Sequence, residues 1–227
     1  VFLIDTGNDK EASKKILKVE NLTKVVDGKK ILNKVSFTVL KGDKITFIAN
    51  NDMIKTTLFN ILTGKEKYDA GTIEFGKTIN YAYLPQDNTE YFNVDKNIME
   101  WIGQYYDIKD ETVLRGFLGR MLFSGDDVFK KVSVLSGGEK MRCMLSKLML
   151  EGPNFLILDE PTNHVDLESI TSLNKGLINF QGEVLFTSRD YELNSTVTNR
   201  VIEILDDGSI IDRCVPYEEY IESKSKR

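Results

Sequence analysis

The sequence predicts an α/β domain whose main sheet is largely parallel and carries helices on both faces. After residue 44, apolar strand patterns alternate with helical patterns, and this alternation is typical of a parallel sheet. Before residue 44, apolar runs joined by a turn predict a smaller antiparallel β layer. From about residue 88 to residue 135 the pattern is helical, which predicts a helical subdomain inserted into the chain order of the sheet.

The strands are predicted by short apolar runs with turn residues between them. In the second run, Val35, Phe37 and Val39 alternate on one face, and the turn sequence DGKK at 27–30 precedes it. The predicted strands are ILKVENLTKVV (16–26), ILNKVSFTVL (31–40), KITFIA (44–49), GTIEFG (71–76), INYAYLPQ (79–86), NFLILDE (154–160) and EVLFTSR (183–189).

Helical periodicity fills most of the intervals between these strands. After the third strand, Leu58, Ile61 and Leu62 recur at helical spacing. The further predicted helices are NIMEWIGQYY (97–106), ETVLRGFLGRMLF (111–123), GGEKMRCMLSKLML (137–150), LESITSLNKGLINF (167–180) and YEEYIESK (217–224). Within 200–213, Asp207-Gly208 separates two apolar runs and predicts a β-hairpin.

Composition limits the class of protein. The chain has 227 residues, 41% hydrophobic and 29% charged, enough for a core that needs no disulfides. Cys143 and Cys214 lack metal-ligand spacing, which predicts reduced thiols in a cytoplasmic protein. No apolar run approaches the roughly 20 residues of a membrane span, and a net charge of −5 argues against a broad basic face for nucleic acid. Residues 1–15 are predicted as the end of a linker, 16–222 as the domain and 223–227 as a tail.

One loop has the frame of a phosphate-binding site but lacks its glycines. The stretch FIANNDMIKTTLFNIL, residues 47–62, places Lys55 and Thr56 between an apolar strand and a helix, as in the pattern G-x-x-x-x-G-K-[ST]. Ala49 and Ile54 stand where this pattern has glycine. The frame by itself leaves open a working nucleotide site, a remnant of one and a chance match.

A second candidate lies at the end of an apolar strand. In NFLILDEPTNHVD, residues 154–166, Asp159 and Glu160 are placed at the C-terminal edge of the sheet, where open α/β sheets bind ligands. In such a site an aspartate holds Mg²⁺ together with the hydroxyl of the loop, here Thr56. Glu160 is then placed to orient or deprotonate a water. Alone this signal is weak, since strands often end in acidic turn residues.

The most specific stretch is VLSGGEKMR, residues 134–142. Ser136, Gly137 and Gly138 open a predicted helix and offer a hydroxyl, backbone N–H groups and a positive helix end to an anion. Taken alone, an ordinary serine N-cap with flexible glycines explains them better. That explanation loses once the Lys-Thr pair, Gln86, LSGGE and the Asp-Glu pair are counted together, because they stand in one order, each at a plausible interval.

Together these motifs resemble the ATP-binding cassette (ABC) family. DEPTNHVDLESI (159–170), RGFLGRMLFSGDD (115–127) and VPYEEYIESK (215–224) are similar to the ABC-F subfamily, and the resemblance covers about residues 16–222. It implies an ABC nucleotide-binding domain of P-loop NTPase-like fold that uses ATP and Mg²⁺. ABC-F proteins carry two cassettes on one chain, lack transmembrane domains and are mostly linked to the ribosome. The polar opening residues are typical of a second, C-terminal cassette behind an inter-cassette linker.

The resemblance also implies roles for individual residues. The catalytic set is Glu160 as base, Gln86 near the metal and water, and Arg189 at the switch position. The metal ligands are Thr56, Gln86 and Asp159. In a head-to-tail pair the serine and two glycines of the signature contact an ATP held by the opposite cassette, and Asp166 is the aspartate of the D-loop. The nucleotide-binding set is Ala49, Asn50, Asn51, Asp52, Met53, Ile54, Lys55, Thr56, Thr57, Ser136, Gly137, Gly138 and Asp166.

The chain departs from the cassette pattern at three places. Ala49, Asp52 and Ile54 replace glycines of G-x-N-G-x-G-K-[ST], Val26 stands where an adenine-stacking aromatic is expected, and Arg189 replaces the switch histidine. Arg189 is equally compatible with a permanent cation for the γ-phosphate and with a solvent-facing side chain.

These departures predict a degraded nucleotide site. A positive φ at β-branched Ile54 costs about 1–3 kcal/mol. An Asp52 carboxylate about 4 Å from a phosphate adds repulsion of up to about 4 kcal/mol at an effective dielectric of 20. A loss near 4 kcal/mol turns a micromolar site into a millimolar one.

Three functions remain open at this stage. The first is an ABC-F ATPase that acts on the ribosome, in which this cassette contributes to hydrolysis as half of a pair. The second is the motor subunit of a membrane transporter, which co-purification with an integral membrane protein would favour. The third is a non-catalytic module that only supports pairing with the other cassette, and nucleotide titration distinguishes it.

Overall fold

Two β-sheets organise residues 15–106, 110–123 and 125–226, the ranges that this computed structural model describes. Within them the strands are β1 (Lys15–Val26), β2 (Lys29–Leu40), β3 (Lys44–Ala49), β4 (Ala70–Phe75), β5 (Tyr81–Leu84), β6 (Phe155–Asp159), β7 (Glu183–Thr187), β8 (Arg200–Ile204) and β9 (Ile210–Arg213). The α-helices are α1 (Asp52–Leu62), α2 (Ile98–Gly103), α3 (Glu111–Arg120), α4 (Gly137–Leu150), α5 (Leu167–Asn179), α6 (Tyr191–Val197) and α7 (Tyr217–Ser225).

The larger sheet has the strand order β5-β6-β7-β3-β8-β9. Its first five strands are parallel, and β9 pairs antiparallel with β8 through the predicted hairpin. Parallel neighbours need crossover connections, and α4, α5 and α6 lie on the connections β5 to β6, β6 to β7 and β7 to β8. The segments that follow β3, β5, β6 and β7 therefore emerge side by side at one edge. The predicted α/β fold with a parallel sheet is confirmed.

The smaller sheet has the order β2-β1-β4 and is antiparallel. Val19 of β1 lies opposite Phe37 on one side and Ile73 on the other, so apolar side chains of all three strands share one face. That face packs on the parallel sheet, where the rings of Phe37 and Phe47 are 5.7 Å apart. β4 also belongs to this layer, because it pairs antiparallel with β1. Its position after residue 44 had predicted a strand of the parallel sheet.

A helical block lies between β5 and α4. It contains α2, α3 and short 3₁₀ turns at 89–92, 125–129 and 132–134. Trp101 is fully buried at its centre, stacks on Phe92 at 5.1 Å and donates its indole N–H to the Tyr91 carbonyl at 2.6 Å. The block is thus held by its own aromatic core, which is continuous with the core beneath α4 and α5.

The predicted segment boundaries fall inside regular elements. Lys15 is the first residue of β1, and α7 continues through Ser225, where the sequence predicts a tail from residue 223. Residues 1–14 of the predicted linker and residue 227 lie outside the described ranges. No helix in the described ranges has the length and apolar character needed to span a membrane.

Candidate nucleotide site

The candidate site residues converge at the carboxyl edge of the parallel sheet. The phosphate-loop frame follows β3, Gln86 follows β5, Asp159 and Glu160 end β6, and Arg189 follows β7. These four strands are neighbours in the order β5-β6-β7-β3, so segments far apart in the chain meet at one place. The convergence that the motifs predict is therefore a consequence of the sheet order.

The loop after β3 is short and its amides are capped from within the chain. Only Asn50 and Asn51 separate β3 from α1, and Asn51 is the N-cap, with its side chain accepting from the Met53 N–H at 2.9 Å. The Ile54 N–H donates to the Asn51 carbonyl at 3.1 Å. In a phosphate-binding loop such N–H groups face the anion. Here they are engaged before any ligand arrives.

The strain predicted for Ile54 is not present. None of residues 49–57, all of which are described, has a positive φ. Ile54 lies in the first turn of α1 with its side chain buried, and Thr57 is buried one turn later. The expectation of a forced left-handed residue was wrong, because the chain extends α1 backwards into the loop and so avoids the strained conformation.

Lys55 is buried and paired with two carboxylates. Its ammonium nitrogen lies 2.8 Å from Asp52 Oδ1 and 3.1 Å from Glu160 Oε1. Asp52 also accepts a hydrogen bond from Arg189 through its other oxygen. The hydrogen bond from Lys55, assisted by that from Arg189, holds the pKa of Asp52 below its usual range, so the carboxylate is charged at neutral pH. The lysine that would bind phosphate is thus neutralised within the chain.

Three oxygen atoms of the kind that Mg²⁺ prefers, from Thr56, Gln86 and Asp159, lie close together in the structure. The Thr56 hydroxyl oxygen lies 2.7 Å from Asp159 Oδ2 and 3.1 Å from Gln86 Oε1. Burial raises the pKa of Asp159 against the hydrogen bonds from Thr56 and Thr187, so a cation would favour its ionised form. In the described part of the chain no group of three or more His, Cys, Asp and Glu side chains could hold a metal, so this mixed set is the candidate.

Glu160 carries the features expected of a functional carboxylate. It has a positive φ of 48° and is buried, and its Oε2 atom has no hydrogen-bond partner among the described residues. Its N–H donates to the Thr187 hydroxyl at 2.9 Å, and the same hydroxyl donates to Asp159 Oδ1 at 2.9 Å. Thr187 thus orients both acidic residues. The sequence analysis missed it, although a polar residue ending the apolar strand EVLFT was a usable signal.

The signature residues lie at the start of α4 and pack against the D-loop. Ser136 is the N-cap and forms a capping box with Glu139. The N–H groups of Gly137 and Gly138 have no acceptor among the described residues. A Cβ on Gly137 would lie 2.0 Å from the His164 carbonyl oxygen, and one on Gly138 would lie 1.8 Å from Asp166 Oδ2. Both glycines are therefore required for close packing as well as for any ligand.

The remaining predicted residues lie around the start of α1 and the start of α4. Asn50 donates to Asp206 at 3.1 Å, Ala49 ends β3 and Met53 is half exposed. Asp166 caps α5 by accepting from the Ser169 N–H at 2.9 Å. An open cleft is lined by Gln86, Gly137, Glu160 and His164, among others, and connects the acidic end of β6 with the start of α4.

The residues present fit a magnesium ion but not the phosphates of a nucleotide. The oxygens of Thr56, Asp159 and Gln86 suit a hard cation. The amides of Met53 and Ile54 already have acceptors, however, and Lys55 is paired with the carboxylates of Asp52 and Glu160. No step of hydrolysis at this loop follows from such an arrangement.

A parallel sheet whose carboxyl edge gathers a loop lysine, a metal-binding hydroxyl and two acidic residues defines a P-loop type nucleotide-binding domain. The family model described as "ABC transporter" matches residues 32–163, more than half of the chain. The chain therefore belongs to the ABC family of ATP-binding cassettes, which confirms the family predicted from the motifs.

Individual relatives agree with this assignment. The chain is 53% identical to the uncharacterized ABC transporter ATP-binding protein YkpA of Bacillus subtilis, covering 95% of this chain and 40% of that protein. It is 34% identical to the energy-dependent translational throttle protein EttA of Escherichia coli, covering 91% and 38%. A crystal structure of a nucleotide-free ATP-binding cassette from an ABC transporter has a TM-score of 0.74 at 20% identity, covering 93% and 95%, and so supports the fold. The chain spans about two fifths of the length of these curated relatives.

Proposed function

We propose that this chain is the second cassette of an ABC-F protein that acts on the ribosome in the cytoplasm. We propose further that it contributes to ATP hydrolysis mainly through its signature motif, which completes a nucleotide site on the other cassette. The similarity of stretches such as DEPTNHVDLESI (159–170) to ABC-F proteins supports the subfamily. The name of the EttA relative connects one similar protein with translation. ATP and Mg²⁺ are the cofactors of the pair.

The observation that carries the proposal is the contrast between the two ends of the site. At the start of α1, the amides of Met53 and Ile54 already have acceptors and the lysine is neutralised by carboxylates. At the start of α4, the N–H groups of Gly137 and Gly138 have no acceptor among the described residues, and Gly137 lines the open cleft. N–H donors aimed at developing phosphate charge contribute several kcal/mol to transition-state stabilisation. The intact end is therefore the one suited to catalysis, in trans.

The test compares two substitutions of Ser136 in the tandem protein. A charge introduced by Gly137→Asp is a less specific test, because its Cβ would collide with the His164 carbonyl and the variant would test packing as well as charge. Asp and Asn are both good N-caps, and Ser136 is exposed, so Ser136→Asp and Ser136→Asn should both fold. We expect Ser136→Asp to reduce ATP turnover at least about tenfold relative to Ser136→Asn, because it places a negative charge beside the phosphate.

Lys55→Ala provides the second arm of this experiment. With this cassette acting in trans, the substitution should leave turnover within about threefold of the unmodified tandem protein. If the Lys55→Ala protein is folded by circular dichroism and its turnover falls as far as that of Ser136→Asp, the cassette's own site works and the asymmetry is overturned.

The partner of the pair is tested separately. Co-sedimentation of the tandem protein with ribosomes on a sucrose gradient, strengthened by a slowly hydrolysed ATP analogue, is expected for an ABC-F protein. The alternative is the motor subunit of a membrane transporter, which the name of the YkpA relative supports. Co-purification with an integral membrane protein, together with the absence of ribosome binding, would establish that alternative.

A further inference from the structure

Two departures from the cassette pattern contact each other. Asp52 stands at a glycine position of the loop, and Arg189 stands at the position of the switch histidine, 137 residues later. The Arg189 guanidinium donates to Asp52 Oδ2, while Asp52 Oδ1 lies 2.8 Å from the ammonium nitrogen of Lys55. One carboxylate therefore bridges the lysine of the loop and the arginine that follows β7. The adjacency of β3 and β7 in the sheet makes the contact possible.

The position of this carboxylate is that of an anion at a helix N-terminus. Asp52 is the first residue of α1, where negative charge is stabilised by the helix dipole. In P-loop proteins the same end of the same helix binds phosphate. The Asp52 carboxylate thus places a negative charge at the N-terminus of α1 and beside Lys55, as a bound phosphate would.

The charge balance of the site favours this internal anion over an external one. Two cations, Lys55 and Arg189, face the three carboxylates of Asp52, Asp159 and Glu160. A phosphate approaching Lys55 has to displace Asp52 and then lies beside it. An isolated exposed Arg–Asp pair contributes little, but Asp52 is also tied to a lysine that is only 5% exposed. The bridge is for this reason more than a surface ion pair.

We propose that Asp52 is an internal ligand of the phosphate-binding lysine, and that Arg189 is the positioning residue that holds it there. The pair determines whether this cassette accepts nucleotide at its own loop. The inference rests on the proposed function, since it explains why this half of the tandem acts through its signature. It also assigns Arg189 to Asp52 and not to a γ-phosphate.

The test measures nucleotide affinity with the charge at residue 52 as the variable. Mg-ATP is titrated calorimetrically into the 227-residue chain and into Asp52→Asn, with Asp52→Glu as the matched control that keeps the charge. Asparagine has nearly the shape of aspartate and lacks the backbone freedom of glycine, so the comparison isolates the charge at residue 52. We expect Asp52→Asn to bind Mg-ATP about tenfold tighter or more. Circular dichroism verifies the folding of each variant, and Asp52→Ser is a second neutral variant.

A second comparison tests the role of Arg189. If Arg189 serves only to hold Asp52, then Arg189→Gln should change the affinity less than about twofold in the Asp52→Asn background. A gain in Asp52→Glu equal to that in Asp52→Asn, or no gain in either neutral variant, would overturn the internal ligand. A tenfold loss on adding Arg189→Gln to Asp52→Asn would make Arg189 a phosphate contact and overturn its positioning role. Either failure leaves the Ser136 comparison valid, because that experiment measures the signature and not the loop.

Discussion

Gly138→Ala tests whether the signature glycines are needed for packing within this chain. A Cβ at residue 138 would lie 1.8 Å from Asp166 Oδ2, closer than any real contact allows. The Asp166 carboxylate would have to rotate away, and it would lose the hydrogen bonds that it accepts from the Ser169 N–H at 2.9 Å and the Ser169 hydroxyl at 3.0 Å. The N-cap of α5 would be lost as a result.

The magnitude follows from these contacts. Loss of an N-cap costs about 1 kcal/mol, and overpacking adds about 1–3 kcal/mol. The better helix propensity of alanine returns up to about 1 kcal/mol. We expect Gly138→Ala to lower the free energy of unfolding by about 1–3 kcal/mol in urea denaturation with an unchanged m-value. Gly116→Ala in α3 is the matched control. Its Cβ would meet nothing within 4 Å, so it should stabilise the chain by about 0.5–1 kcal/mol.

The double variant gives the decisive result. In an Asp166→Ala background the colliding oxygen is absent, so Gly138→Ala should cost less than about 0.5 kcal/mol. A full cost in both backgrounds would place the strain elsewhere than at Asp166. A Gly138→Ala variant as stable as the unmodified chain would refute the packing role altogether.

Three further predictions concern the acidic residues of the site. Thr187→Val should lower the free energy of unfolding by roughly 1–3 kcal/mol in urea denaturation, because it leaves the Glu160 N–H and an Asp159 oxygen buried without a partner. Thr171→Val, at an exposed position, is the control. An equal loss of stability in the two variants would contradict this reasoning. Burial raises the pKa of Asp159, so Asp159→Asn should raise the melting temperature at pH 7, and this gain should disappear as pH falls to about 4. Because ion pairing lowers the pKa of Asp52, Asp52→Asn should lower the melting temperature at pH 7, and the loss should fade below about pH 4. If Asp159→Asn and Asp52→Asn both raised, or both lowered, the melting temperature across pH 4–8, the two pKa directions would be refuted.

Much of the fold and part of the site could be predicted from local sequence. Strands such as FLILD and helices such as α4 have apolar periodicity strong enough to be assigned by themselves. The convergence of Thr56, Gln86 and Asp159 follows because parallel strands end at a common edge. No side-chain detail is needed for that step.

The remainder depends on contacts between distant residues. The glycine losses predict strain at Ile54, yet the chain avoids it by extending α1, since helical backbone costs less than a left-handed isoleucine. The direction of the Asp52 side chain depends on Arg189, which reaches it only after β7 is placed beside β3. Local patterns contain neither fact.

The retained motif residues have a structural explanation that does not require hydrolysis at this site. Lys55, Glu160 and Asp159 are all nearly fully buried, and each depends on the others or on Thr56 and Thr187 for its partners. Removing the buried cation of Lys55 would leave the Glu160 carboxylate without its ion-pair partner, which costs about 3–5 kcal/mol. Lys55 therefore has a stabilising role in this chain that is independent of any bound phosphate. Burial and mutual pairing thus account for these side chains without a nucleotide, whereas the proposed role in trans rests on the start of α4.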